Sequence, residues 1–215
     1  MRFLCLHGAG TSSKIFESQT AALRHELGPG HSYHFVQGVV QAPMHRAIEK
    51  LSNPADEHFV YYKPSDPISF SKAVTDLGSY VADEGPFDGV MAFSQGTSLA
   101  SAFMIAKQNR QNGTAPFKCA IFFCGRPPFV DIPDQQATAD TDIQLYTAHI
   151  WGARDEEPEL APQLAQMCKA SKRHVFAHDG GHEIPGGRDS VAFNGTVHVI
   201  ERMLASVEKS NMRAS

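Results

Sequence analysis

The sequence predicts an α/β fold, a mostly parallel sheet of about six strands flanked by helices on both faces. Three observations carry that prediction. Short apolar runs recur along the 215 residues, and they are continuous rather than alternating, the pattern of strands buried on both faces. Stretches with apolar residues at helical spacing separate them, as the crossovers of a parallel sheet require. No internal repeat or low-complexity tract interrupts the alternation, and 42% hydrophobic residues suit one domain spanning residues 1–215.

The first run, RFLCLHG (2–8), reads as a buried strand. Residues 12–27, SSKIFESQTAALRHEL, then bring Ile15, Phe16, Gln19, Leu23 and Leu27 near helical spacing. HSYHFVQGVV (31–40) is the second strand. Between 69 and 84, Phe70, Ala73, Val74, Leu77, Tyr80 and Val81 mark one face of a helix. FDGVMAF (87–93) is the third strand, with a helix beginning near Gln95, and CAIFFCG (119–125) is the fourth. LYTAHIWG (145–152), a helix around 159–170, the strand RHVFAH (173–178) and a helix after about Arg188 complete the order.

Two connections are too long for simple turns. Residues 41–69 hold Met44, Phe59, Tyr61 and Tyr62, and residues 126–144 are rich in proline and polar side chains. Long ordered loops at the carboxyl ends of parallel strands usually build a ligand site, so both are expected as pocket walls. The aromatic set is equally compatible with plain core.

Chemistry gathers at three strand ends. Ser94 follows the third strand in AFSQG, Asp155 follows the fifth in HIWGARDEE, and His182 follows the sixth in AHDGGHEIP. A serine hydroxyl is a weak nucleophile near neutral pH and needs a base beside it. Histidine can take that proton and return it to a leaving group, and a carboxylate fixes the tautomer of the imidazole. Glu156 and Glu157 adjoin Asp155, and Asp131, Asp140 and Asp142 precede the fifth strand, so the acid is the least determined member. After the first strand, LHGAG places Gly8, Ala9 and Gly10 where backbone N–H groups can face a pocket. Ala9, with Gly10 as the alternative, and Gln95 at the head of a helix are the expected oxyanion donors.

The blocks LCLHGAGTSSKIF, EGPFDGVMAFSQGTSLA, HIWGARDEE and HDGGHEIP resemble those of the α/β-hydrolase superfamily, specifically the fungal FSH-type serine hydrolases. The resemblance spans about residues 1–207 and implies an esterase or thioesterase with Ser94, Asp155 and His182 as triad and Ala9 and Gln95 as oxyanion donors; because such a triad supplies both base and acid, no cofactor or metal is expected. It also implies polyketide or fatty-acyl substrates, released or trimmed by cleavage of an ester or thioester. One departure stands out: the first glycine of G-x-S-x-G is Ala92, which adds one methyl at a crowded turn.

Composition narrows the partners. A formal charge of −4 argues against a nucleic-acid surface, and no stretch reaches the roughly 18 apolar residues of a membrane helix. Cys5, Cys119, Cys124 and Cys168 show neither C-x-x-C nor metal-like spacing, and the chain enters its first strand without a leader pattern. A cytoplasmic enzyme acting on a small acyl ester or thioester is expected. An acyl carrier protein is a further candidate partner, for which Arg126, Arg154 and Arg188 would form the docking patch. Two rival functions share the fold: acyl transfer by the same triad, and ligand binding without catalysis.

Overall fold

The apolar runs assemble into one six-stranded parallel sheet, and their continuity follows from helices covering both of its faces. The computed structural model describes residues 1–49, 52–53, 55–110, 116–128, 143–188 and 190–214. In chain order the elements are β1 (Arg2–Leu6), α1 (Ser13–Gln19), α2 (Ala21–Glu26), β2 (Ser32–Val36), β3 (Val40–Ala42), β4 (His58–Val60), α3 (Pro67–Glu84), β5 (Gly89–Phe93), α4 (Gln95–Arg110), β6 (Cys119–Phe123), β7 (Tyr146–Gly152), α5 (Leu160–Gln166), β8 (Arg173–His178) and α6 (Ser190–Ala214). The main sheet runs β2-β1-β5-β6-β7-β8.

Strand alternation divides the interior into two layers. Leu4 and Leu6 of β1, Val90 and Ala92 of β5, and Ala120 and Phe122 of β6 point to one face, where they meet Phe70, Leu77, Leu99, Phe103 and Leu164 of α3, α4 and α5. Phe3, Cys5, Met91, Phe93, Ile121 and Phe123 point to the other, against Phe16, Leu23, Ile200, Met203 and Leu204 of α1, α2 and α6. Each large apolar side chain so enclosed contributes about 1.5–3 kcal/mol of burial.

Local chemistry sets the helix boundaries. Ser12 caps α1 by accepting the Ile15 N–H at 3.3 Å, and Asp66 caps α3 by accepting that of Ser69 at 3.0 Å, with Pro67 in the first turn. The single helix expected over 12–27 is two. Thr20 stands between them at φ −94°, ψ 0°, and its hydroxyl donates back to Phe16 O at 2.8 Å. The 41–69 connection is also more ordered than a loop. Its β4 pairs antiparallel with β3, and a further bridge joins Phe59 to Thr11 just beyond β1.

Strand order reverses beside β1: the chain first steps outward to β2, then returns to β5 on the opposite side of β1. Such a switch point opens a crevice at the carboxyl ends of the two strands. At its base, α4 starts so close to β1 that a Cβ on Gly96 would lie 2.5 Å from Leu6 O and 2.8 Å from His7 O. Both atoms are backbone and cannot swing aside.

Gly96→Ala should therefore destabilise the fold by about 1–3 kcal/mol, the usual range for overpacking. Gly30→Ala, where nothing stands within 4 Å of the new methyl, serves as the control and should be neutral or better. Urea denaturation of the two variants checks this, and equal midpoints would mean that α4 slides to accept the methyl.

Candidate active site

Ser94 leaves β5 with φ +50°, a left-handed conformation unusual for a residue bearing a Cβ. Three contacts hold it there. Its N–H donates to Phe123 O at 3.0 Å, and its carbonyl accepts from Thr97 N–H at 2.9 Å and Thr97 Oγ1 at 2.6 Å. The turn lifts the hydroxyl above the sheet edge while α4 begins at the next residue. Ala92, the departure in the motif, is fully buried in the layer facing α3 and α4, and β5 keeps its register with β1 and β6.

His182 and Asp155 meet this serine. Ser94 Oγ stands 2.9 Å from His182 Nε2, and His182 Nδ1 stands 2.7 Å from Asp155 Oδ2. A carboxylate only accepts, so Nδ1 carries the proton and Nε2 is left to accept from the hydroxyl. Backbone bonds lock the two loops together: Ala153 N–H donates to His178 O at 2.7 Å and Arg154 N–H to Gly180 O at 2.9 Å. The adjoining acids have partners of their own. Glu156 pairs with Arg46 and Glu157 with Arg126, whose hydrogen bonds hold the Glu157 carboxyl below the usual range. Of the other acids considered from sequence, Asp131, Asp140 and Asp142 lie outside the described residues.

The Cys124 thiol approaches this pair, with one ligand atom from each of Cys124, Asp155 and His182 within 4.8 Å of the others. Burial pushes the thiol up to about 12, so it stays protonated and directs its S–H toward Glu183 O at 3.5 Å. The imidazole is already engaged on both nitrogens.

Both expected oxyanion donors line the cavity, and no protein acceptor pairs with the backbone N–H of Ala9 or Gln95 among the described residues. Buried neighbours orient them. His7 Nδ1 lies 2.7 Å from Gly8 O, and Thr11 Oγ1 donates to the same carbonyl at 2.9 Å. Gly8 O and Ala9 N–H belong to one trans peptide, so fixing the carbonyl on one side aims the N–H to the other. Gly38 N–H donates to His7 Nε2 at 2.9 Å, which makes Nδ1 the protonated nitrogen. The Gln95 side chain accepts from Tyr61 N–H at 2.9 Å and donates to Tyr62 O at 3.0 Å, tying α4 to the segment after β4.

A cavity of about 970 Å³ opens over Ser94. Ile15 and Gln19 of α1, Ile184, Tyr62, Pro127 and Leu160 are among its walls. Of the expected wall residues, only Tyr62 is in place. Tyr61 is a buried pin: its hydroxyl donates to Val36 O at 2.8 Å and accepts His7 N–H at 2.9 Å. Phe59 gives its backbone to Gly10 and Thr11, and Met44 is half-buried away from the cavity. From the 126–144 connection, Arg126, Pro127 and Pro128 reach the wall, and 129–142 lie outside the described residues. Arg126, offered from sequence as a docking cation, is committed to Glu157, while Arg154 and Arg188 are exposed. His45 and Arg46 also line the cavity. Their only sequence signal was two basic residues inside a long apolar-aromatic loop.

A parallel sheet with this switch-point crevice, and a serine-to-helix turn within it, defines the α/β-hydrolase fold. The chain belongs to the serine hydrolase (FSH1) family, whose pattern matches residues 1–193, and it is a hydrolytic enzyme of that class. It is 38% identical over 220 residues to esterase FPY3 of Fusarium mangiferae, covering 97% of this chain and 96% of that one. Esterase FUS5 of Gibberella fujikuroi is 33% identical over 201 residues, with 87% and 81% covered. A solved carboxylesterase from Mesorhizobium loti shares the fold with a TM-score of 0.65 at 16% identity, covering 95% of this chain and 88% of that one.

Two buried histidines make stability depend on pH. Burial lowers His7 to about 4, and lowers His149, enclosed in β7, to about 3. Unfolded, both titrate near 6.5. Their contribution is complete above pH 6.5 and shrinks as the pH falls, because only the unfolded chain gains protons; the loss ends once the folded rings protonate near 4 and 3. Unfolding free energies from urea titrations should therefore fall from pH 7 to pH 4. His149→Phe should flatten that slope by up to about 1.4 kcal/mol per pH unit, one proton's worth. Parallel slopes for the variant and the parent would show that His149 is charged in the fold.

Proposed function

We propose that this enzyme cleaves carboxylic esters through an acyl-serine intermediate on Ser94, with His182 as base and acid and Asp155 as the carboxylate that orients it. The observation that carries the reading is the unbroken hydrogen-bond chain from Ser94 Oγ through His182 to Asp155, opening on the 970 Å³ cavity. His182 Nε2 takes the serine proton as Oγ attacks the acyl carbonyl. The carbonyl oxygen becomes an oxyanion held by Ala9 and Gln95 N–H, and each such donor is worth about 10²–10³ in rate. His182 then protonates the leaving group, and a water molecule repeats the sequence to free the acid.

The family and its esterase relatives support hydrolysis of an ester. A thioester, on a small thiol or on an acyl carrier protein, would enter by the same route, and an alcohol or amine in place of water would make the reaction an acyl transfer. The polyketide or fatty-acyl class, and with it a place in secondary metabolism, rests on the resemblance in the sequence blocks. Cytoplasmic placement fits four free, buried thiols. No helix among the described residues is long and apolar enough to cross a membrane.

A fluorophosphonate probe should label Ser94, and Ser94→Ala should lose both label and turnover while keeping its unfolding midpoint. Asp155→Asn should lower kcat by about 10²-fold or more with KM little changed. Glu156→Gln and Glu157→Gln, which remove exposed ion pairs, should stay within about threefold. Label on a different serine, or a glutamine variant as slow as Asp155→Asn, would move the assignment.

The cavity also sets an acyl-length profile. With about 0.8 kcal/mol per buried methylene, kcat/KM should rise about fourfold per carbon until the wall is reached. Tyr62→Ala should shift that optimum toward longer chains. Tyr61→Ala should instead lower stability, because it empties a buried pin. A profile that Tyr62→Ala leaves unmoved would place the acyl chain away from Tyr62.

A further inference from the structure

The mechanism above leaves a second imidazole at the cavity unused. His45 belongs to the connection between β3 and β4, and its N–H donates to Gly10 O at 2.9 Å. Gly10, at φ +63°, makes that seat possible: a Cβ there would lie 2.7 Å from Pro43 O and 2.8 Å from His45 N. The segment 43–45 thus rests directly on the loop that carries Ala9. Ala47 N–H donates to His45 Nδ1 at 3.2 Å, so the neutral ring bears its proton on Nε2. The ring lines the same cavity as Ser94, and its centroid is 6.3 Å from that of His182. The ring is exposed at the cavity mouth, and its partial desolvation, then the neighbouring His182, lower its pKa, which favours this neutral, donating form.

We propose that His45 Nε2–H binds the leaving oxygen of the ester and makes this site selective for oxygen esters over thioesters. The proposal rests on the acyl-serine reading. As the tetrahedral intermediate collapses, the bond from carbon to the leaving oxygen breaks and its electron pair stays on that oxygen. The same oxygen takes the proton from His182 Nε2. A donor beside His182 stabilises the charge developing there, and His45 keeps its own proton throughout. An alkoxide-like oxygen is a strong acceptor. Sulfur is a weak one, and a thiol is far more acidic than the matching alcohol, so its thiolate needs less help to depart.

The test compares an ethyl ester and the matching S-ethyl thioester of one acyl group, read as kcat/KM so that acylation is reported. His45→Phe should lower the ester value by about 3- to 10-fold, the worth of one hydrogen bond. The thioester value should stay within about twofold on the same scale. His45→Gln, which retains an N–H donor, should recover most of the ester loss. Equal losses on both substrates, no loss on either, or no recovery with glutamine would overturn the assignment. Fluorophosphonate labelling of the same samples separates the levels of failure. Wild type unlabelled at Ser94 would sink the acyl-serine reading and this proposal with it. Normal labelling with an unchanged ester-to-thioester ratio would sink His45 alone.

Discussion

The contact between the first turn of α4 and the end of β1 is the constraint on which the site depends. Gly96 has no side chain, so the backbone after Ser94 can lie against the Leu6 and His7 carbonyls. The strand ends that carry Ala9 and Gln95 are thereby held against each other, and both residues line the cavity with Ser94. A single methyl would wedge them apart. The left-handed turn at Ser94 is the other half of this arrangement, because it starts the helix at once and leaves no slack. Such strain is of order 1–3 kcal/mol and persists only where the surroundings over-determine it, as the Phe123 and Thr97 bonds do here.

Electrostatics around the site follow a simple rule of local neutralisation. Asp155, Glu156 and Glu157 are consecutive, yet they diverge to His182, Arg46 and Arg126. Three neighbouring carboxylates without partners would repel one another and disfavour the ionised forms. Giving each its own partner, an imidazole N–H for Asp155 and a guanidinium for each glutamate, keeps the three carboxylates apart. Only the Asp155–His182 pair is sheltered; the outer pairs are exposed, where such contacts contribute little to stability.

The sheet was legible because β5 and β6 are buried at every position and so read as unbroken apolar runs. That Ser94, Asp155 and His182 come together was legible from order, since each follows a strand. Other features left no local trace. Thr20 divides a helix through a hydroxyl bond to Phe16, which apolar spacing does not register. Phe59, Tyr61 and Met44 looked like cavity wall because aromatic and apolar residues in a long loop suit wall and core equally. What decides is the Tyr61 hydroxyl reaching Val36 and His7, a contact between three distant segments. Arg46 meets Glu156 across 110 residues of sequence, so no window could have paired them.

The loop bearing Ala9 is clasped between the main sheet and the small β3–β4 sheet, through Gly10 and Thr11 to Phe59 and through Gly10 to His45. His45, Arg46 and Tyr62 of that region line the cavity, and the rest of its wall includes α1, residues 126–128 and the start of α5. Those last elements take no part in the bonds that clasp the Ala9 loop. Exchanging side chains such as Ile15, Gln19 or Leu160 can therefore reshape the cavity while the clasp on the Ala9 loop is inherited intact.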